Sequence, residues 1–463
     1  MKKDSKQRAS ERDMNKSLKN SGQNREKWIT AVVADAHGRI FDLDGYAAVG
    51  MAGSDLRMLS PKDTVNLPFG AELMYLPNRM PVLFNLARKK IETLRENPYE
   101  PGSPIYPVAA FNSPGYVISR VSAYQEQSNA SHLPLFSYGA VGWHKNRFRS
   151  AVFQIDSEPR QDLRLMKRAD VVAGVERMRK IMPENRLRRH LERCALEYGC
   201  PAGKNFFLRR YEAPLPTSRA CNARCLGCIS LQQDSGIACS QNRIDFTPDP
   251  EEIAQVALAH IERVRNSVVS FGQGCEGDPL LAAHVIQPAI EMIRAGTGRG
   301  TINMNTNGSM PDVLKRLFSS GLDSVRVSMN SVRPDCYAAY FRPVSYEFAD
   351  VIRSIDAALE MGKFVSINYL NLPGFTDSPE EVSALTNFLE THRVSQIQWR
   401  NLNYDPLLYW KAMNQASQNG PPVGMHQAVE QVRRRFPEIM HGYFNPPREK
   451  WTSGPQHVKP FKK

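Results

Sequence analysis

The chain has 463 residues, 41% apolar and 23% charged, an ordinary globular composition with room for two or three domains. No apolar run reaches the roughly 20 residues of a transmembrane helix, and the polar, basic first 27 residues have no apolar stretch behind them. Neither a membrane span nor a secretory signal is expected, and a cytoplasmic location is. The formal charge of +13 is concentrated at the ends, with +5 in residues 1–27 and +4 in 448–463, so it reads as solvated tails rather than a nucleic-acid readout surface.

In chain order, residues 1–27 read as a disordered basic tail. Residues 28–35 and 39–43 flank Ala36-His37-Gly38, the pattern of a hairpin. Residues 80–95 carry Val82, Leu83, Leu86, Ala87, Ile91 and Leu94 behind Pro81, which predicts a helix. Strand-like runs follow at 105–110, 116–124, 135–141 and 147–155. Residues 28–165 therefore read as a strand-rich α+β accessory domain, and 166–204 as a helical bridge.

From 205 the pattern alternates. Strands are expected at 205–211, 267–271, 301–305, 324–329, 364–370 and 396–401. Helices are expected at 250–265, 280–295, 311–320, 346–361 and 379–392. Asp249-Pro250 opens the first of these helices, and Gly321 and Gly362 close the third and fourth. Such alternation implies a parallel sheet with right-handed crossovers. Over 205–404 this is an α/β fold, a partial (β/α)6 barrel with its site at the C-terminal strand ends. Residues 405–463 read as an extension with one helix, at 425–436, and a basic tail.

The strongest chemical signal is Cys221-Asn222-Ala223-Arg224-Cys225-Leu226-Gly227-Cys228, directly after the first of these strands. Thiolates suit an iron–sulfur cluster or zinc. One short loop with this spacing wraps three corners of a cubane and leaves one iron open, as a cluster needs if it is to bind a chelating ligand. Zinc is the alternative: Cys239 as fourth ligand gives a small, colourless, non-catalytic site.

A CxxxCxxC loop after the first strand of a six-unit β/α chain resembles the radical S-adenosylmethionine (SAM) superfamily, over about 205–401. The resemblance implies a [4Fe–4S] cluster on Cys221, Cys225 and Cys228 with SAM chelating the open iron. One electron then cleaves SAM to a 5′-deoxyadenosyl radical that abstracts hydrogen from a substrate. It also implies an electron-donor redox protein as partner. Gly274-Cys275-Glu276-Gly277-Asp278-Pro279 is similar to the family's turn that binds the SAM amino group. Gly277 allows close backbone approach, and Glu276 or Asp278 offers a carboxylate to the ammonium. A plain strand–helix turn with acids favourable to the helix dipole is the other reading.

Later strand ends bring Asn305-Thr306-Asn307-Gly308, Ser328-Met329-Asn330-Ser331 and Asn368-Tyr369. By the resemblance Ser328 and Asn305 are candidates for the SAM ribose; as plain sequence they are turn and cap residues. Arg400 or Asn403 is placed to meet substrate, with a salt bridge the alternative for Arg400. No catalytic acid or base stands out. Gly227 departs from the family, which often has an aromatic residue there. His190 and Cys194 lie four apart on an expected helix, and Cys194, Cys200, Cys239 and Cys275 are either an auxiliary cluster or small buried apolar residues. Two substrate classes stay open: a peptide or protein presented by the N-terminal domain, or an RNA attracted by the basic tails, although no RNA-binding motif is present.

Overall fold

The computed structural model describes residues 27–232 and 236–451, so most of the expected basic tails lies outside the described residues. Thirteen strands between Thr30 and Ser150 form one antiparallel sheet, and Tyr116–Ile118 pairs with Val152–Gln154 in a separate ribbon. The expected hairpin is present, with Thr30–Ala34 pairing Ile40–Ala47. The Asp35 carboxylate holds its turn by accepting from the main-chain N–H of His37 and Arg39 at 2.9 and 3.0 Å.

The helix expected over 80–95 is instead a second hairpin, Arg79–Asn85 against Lys90–Thr93. The Asn85 side chain accepts from the N–H of Ala87 and Arg88, a local bond that competes with helix and starts a turn. Residues 79–83 are buried on both strand faces, so they read as a continuous apolar run, and period alone cannot separate such a run from a helix.

The bridge contains helices α1 (Arg168–Ile181), α2 (Arg186–Leu196) and α3 (Pro201–Leu208). The strand expected at 205–211 is therefore wrong. Pro201 opens a helix there and Arg209 ends it in the left-handed conformation. The run Asn205-Phe206-Phe207 looked strand-like because it is buried on every side.

Seven parallel strands follow in simple order: β1 (Glu212–Pro214), β2 (Val268–Phe271), β3 (Thr301–Thr306), β4 (Ser324–Met329), β5 (Phe364–Asn371), β6 (Gln396–Asn401) and β7 (Met440–Gly442). The helices between them are α4 (Pro250–Arg263), α5 (Ala283–Gly296), α6 (Pro311–Ser319), α7 (Pro334–Phe341), α8 (Phe348–Glu360), α9 (Pro379–Thr391), α10 (Pro406–Ala416) and α11 (Met425–Arg435). The seventh strand, α7 and α10 were not expected. β7 is only three residues long, yet it registers Gln396 against Met440 and Gln398 against Gly442.

One face of the sheet is apolar and buried under helices; the other is polar. Asn303 donates to Ser270 Oγ (3.2 Å) and accepts from Ser324 Oγ (2.9 Å). Ser366 Oγ and Gln398 Nε2 both donate to Gln396 Oε1. Asn445, from the C-terminal segment, ties the two sides together. Its Nδ2 donates to Glu212 Oε1 (2.8 Å) and its Oδ1 accepts from Gln398 (2.8 Å). The N-terminal ends of the strands are thereby sealed by a satisfied polar network.

The Tyr116–Ile118 ribbon of the N-terminal domain is fastened to the C-terminal end of β6. Asn401 accepts from Ile118 N and donates to Tyr116 O. Beyond it Asp405 caps α10, accepts from Leu133 N and pairs with Arg79 at 3.4 Å, each side chain only 1% exposed. Asp405→Ala is expected to cost about 2–4 kcal/mol, since it removes a helix cap and half of a buried ion pair. A lowered melting temperature checks this; an unchanged one contradicts the role. Among the described residues no helix is long and apolar enough to cross a membrane.

Candidate active site

The segment leaving β1 carries Cys221, Cys225 and Cys228, all partly buried. It is held on two sides. On one, Arg224 N and Leu226 N donate to Phe341 O and Tyr340 O at the end of α7, and Val344 N donates to Asn222 O. On the other, Gly277 N and Asp278 N donate to Ser218 O (2.7 Å) and Ala220 O (2.9 Å). The turn after β2 and the entry to the cysteine loop therefore run side by side.

Gly277 is required by that contact. A Cβ there would stand 1.9 Å from the Ala220 carbonyl oxygen, backbone that cannot move aside without displacing Cys221. Glu276 reinforces the same joint. Its Oε2 accepts from Thr217 N (2.8 Å) and Ser218 N (2.9 Å), and its Oε1 from Gly272 N (2.7 Å) and Gln273 N (2.8 Å). All four acceptor sites of the carboxylate are filled by main-chain donors. Burial pushes its pKa up to about 7 against the pull of those N–H groups. Asp278 accepts from Leu280 N, Thr306 Oγ1 and Asn307 N. Burial raises its pKa, and its charge in turn helps raise the thiols of Cys221 and Cys225. Asp278 is thus the acid whose field reaches the thiols.

Burial pushes Cys221 up to about 11 and Cys225 well above its usual range, and the loop thiols raise one another. Arg243, which the sequence gave no reason to single out, points Nη2 at Cys228 Sγ at 3.6 Å and Nε at Ser230 Oγ at 3.2 Å. Gly227 has no room for the aromatic residue common in the resembled family: a Cβ there would lie 2.8 Å from Tyr340 Oη and 3.4 Å from Tyr404 Cβ. Tyrosines from elsewhere in the fold occupy that space. Cys239 is exposed.

The other sequence candidates divide. Asn305 spends its side chain within the sheet, donating to Phe271 O and Gly272 O and accepting from Asn303. Asn307 and Ser309 bond Asn222 and so brace the cysteine loop. Asn330 and Tyr369 face the helices, bonding Tyr409 and Glu381. Ser328 stays partly open, and no hydrogen bond involves its hydroxyl among the described residues. The same holds along the upper polar face, where Arg326, Asn368, Leu370 and Arg400 keep partial exposure, unlike Ser324, Ser366, Gln396 and Gln398 beneath them. They make up the half-buried upper part of that face, above the sealed network.

Two guanidinium groups stand on that half-buried face. Arg326 donates Nη1 to Gln398 Oε1 (3.0 Å), and its Nε has no partner. Burial first, and then Arg400, push its pKa down to about 9. Arg400 lies on the Tyr443 ring at 4.1 Å and donates to Tyr443 O at 3.0 Å; neither makes a salt bridge among the described residues. Asn368 Oδ1 beside them is also unpartnered. Arg326 was missed, although its place between Val325 and Val327 on an apolar strand signals an inward charge.

A family model for the radical SAM superfamily matches residues 215–386, from the entry of the cysteine loop to α9. Residues 215–386 are a radical SAM domain. Over 189 residues it is 29% identical to the GTP 3′,8-cyclase of Petrotoga mobilis, covering 40% of this chain and 53% of that one. It is 28% identical to the dual-specificity RNA methyltransferase RlmN of Azorhizobium caulinodans, over 28% and 32% of the two chains. The maturase HydG of Carboxydothermus hydrogenoformans aligns with a TM-score of 0.32 and 12% identity, over 62% of this chain and 79% of that one. The chain spans about half or less of the length of the curated relatives it matches. Radical SAM enzymes use a [4Fe–4S] cluster and SAM. The donor set here suits such a cluster: three thiols on one loop, partly open, with an arginine beside one of them.

Proposed function

We propose that this protein is a radical SAM enzyme in which Cys221, Cys225 and Cys228 hold the cluster. The observation that carries this is the construction of the loop, three thiols fixed from both sides by main-chain bonds at the strand ends of a radical SAM domain. When bound, the cluster supplies the electron that cleaves SAM to a hydrogen-abstracting 5′-deoxyadenosyl radical. Arg243 offsets negative charge at Cys228. Asp278 is our choice over Glu276 for the SAM amino group, because it has three donors where Glu276 has four and its charge is felt at Cys221. Ser328, with its hydroxyl unengaged, is our choice over Asn305 for the ribose. The test is anaerobic reconstitution followed by dithionite and SAM. Slow release of 5′-deoxyadenosine supports the reading; a protein that holds iron and leaves SAM intact contradicts it.

The substrate we infer carries an anionic group between Arg326 and Arg400. Of the two classes left open by the sequence we keep the peptide or protein. The N-terminal domain bonds Asn401, next to Arg400, and so stands where it would present a chain to the half-buried polar face. Arg326→Gln is expected to leave iron content and substrate-free SAM cleavage within about twofold, and to lower turnover of a carboxylate substrate about 10- to 100-fold, the worth of one charge-assisted bond. If substrate-free cleavage falls equally, Arg326 serves SAM and the assignment is wrong.

A further inference from the structure

A second group of soft ligands lies behind the turn that braces the cysteine loop. His190 and Cys194, one helical turn apart on α2, face Cys275 at the end of the β2 segment. The His190 nitrogen and the two sulfurs all lie within 4.8 Å of one another, and all three residues are buried. His190 Nε2 and Cys194 Sγ are 3.5 Å apart. Ligands at about 2.3 Å (S) and 2.0–2.1 Å (N) from one tetrahedral ion stand about 3.5 Å apart, so the pair already has the span of a single-ion site. Cubane corners need wider spacing, which argues against an auxiliary cluster. Cys200 caps α3 close by, its N–H donating to Cys194 O at 3.0 Å, with its thiol outside that 4.8 Å group. Cys239, the remaining member of the cluster weighed from sequence, is exposed.

We propose that His190, Cys194 and Cys275, with the Cys200 thiol turning in as fourth ligand, bind one divalent transition ion, zinc by the donor set, independently of the Cys221 loop. Arg193 sits against the site, its Nη2 3.4 Å from His190 Nδ1. That is longer than an ordinary N–H hydrogen bond, and Arg193 Nε has no partner. Its charge offsets the excess negative charge of three thiolates around a divalent ion. Binding releases the thiol protons to solvent and changes no oxidation state. The ion would staple α2 and α3 to Cys275, the residue before Glu276, and so brace the joint on which the cluster loop rests.

The test uses the full chain with Cys221, Cys225, Cys228 and Cys239 all replaced by alanine, which removes the cluster and the alternative zinc site. We expect about one zinc per chain, and on cobalt substitution a thiolate-to-cobalt charge-transfer band with tetrahedral d–d absorption. Adding His190→Ala or Cys194→Ser should reduce both at least tenfold. Failure to take up either metal beyond the His190→Ala background overturns the proposal, as does a Cys194–Cys275 disulfide found by mass spectrometry under non-reducing conditions. If the multiple variant does not fold, zinc-edge absorption of the wild type decides. A shell of three sulfurs and one nitrogen supports the site; zinc absent, or ligated without nitrogen, overturns it. Iron content enters none of these readouts, so the result is separate from the fate of the cluster assignment.

Discussion

Glu276→Ala is expected to lower stability by about 3–5 kcal/mol, the cost of breaking a buried charged network, and to strip most of the iron from the reconstituted protein. Four main-chain N–H groups, from Thr217, Ser218, Gly272 and Gln273, share this one carboxylate. Alanine leaves all four without an acceptor in a buried place, and each hydrogen bond to a charged group is worth about 1.5–3 kcal/mol before water and relaxation recover part of it. The damage falls between β2 and the entry to the cysteine loop, so stability and iron retention fall together. Glu276→Gln tests the geometry more finely. Its amide nitrogen must face one of the two N–H pairs, and it should recover about half of the loss. Denaturant melts and iron counts check both variants; an alanine variant with wild-type melting and full iron would show that Glu276 does not hold the loop.

Gly277→Ala has the second large effect. Its Cβ would overlap the Ala220 carbonyl, 1.9 Å from the oxygen and 2.4 Å from the carbon, so the strands must part by more than an ångström. Cys221 follows Ala220 directly. We expect iron incorporation to fall at least fivefold, with SAM cleavage falling in proportion, and a stability loss of about 2–3 kcal/mol from overpacking. If Gly277 were needed only to let SAM approach, the variant would keep its iron and lose SAM affinity alone. Iron content measured beside SAM binding separates these outcomes.

These two residues also show how far the sequence could be read. It singled out the turn at 276–278 from its composition and its place after β2. It could not show that Glu276 was already committed, because its partners at 217–218 lie on another strand. Asn305 was overrated for the same reason, since the amide that looked free is bonded across to β2. Ser328, also a strand-end polar residue, could not be told from Asn305 without the fold. Five of the seven parallel strands were visible as β/α alternation, and the first was placed at 205–211 instead of Glu212–Pro214. The seventh escaped because Met440–Gly442 is too short for a period, and with it went Asn445, which closes the polar floor. The errors at 80–95 and 205–211 share a cause: runs at 79–83 and 205–207 are buried on all sides and so lose the polar–apolar alternation that separates strand from helix. His190 and Cys194 were a visible helical pair, but their approach to Cys275 is a tertiary fact.

The central claim is that three cysteines, and no fourth, hold a redox-active cluster open to SAM. The most direct measurement is electron paramagnetic resonance of the dithionite-reduced protein, with and without SAM, for the wild type, the Cys221/Cys225/Cys228→Ala variant and Cys239→Ala. We expect a reduced [4Fe–4S] signal that changes shape on adding SAM, is absent from the triple variant and persists in Cys239→Ala. A silent, colourless wild type whose bound zinc is lost on removing any of Cys221, Cys225, Cys228 or Cys239 would contradict it.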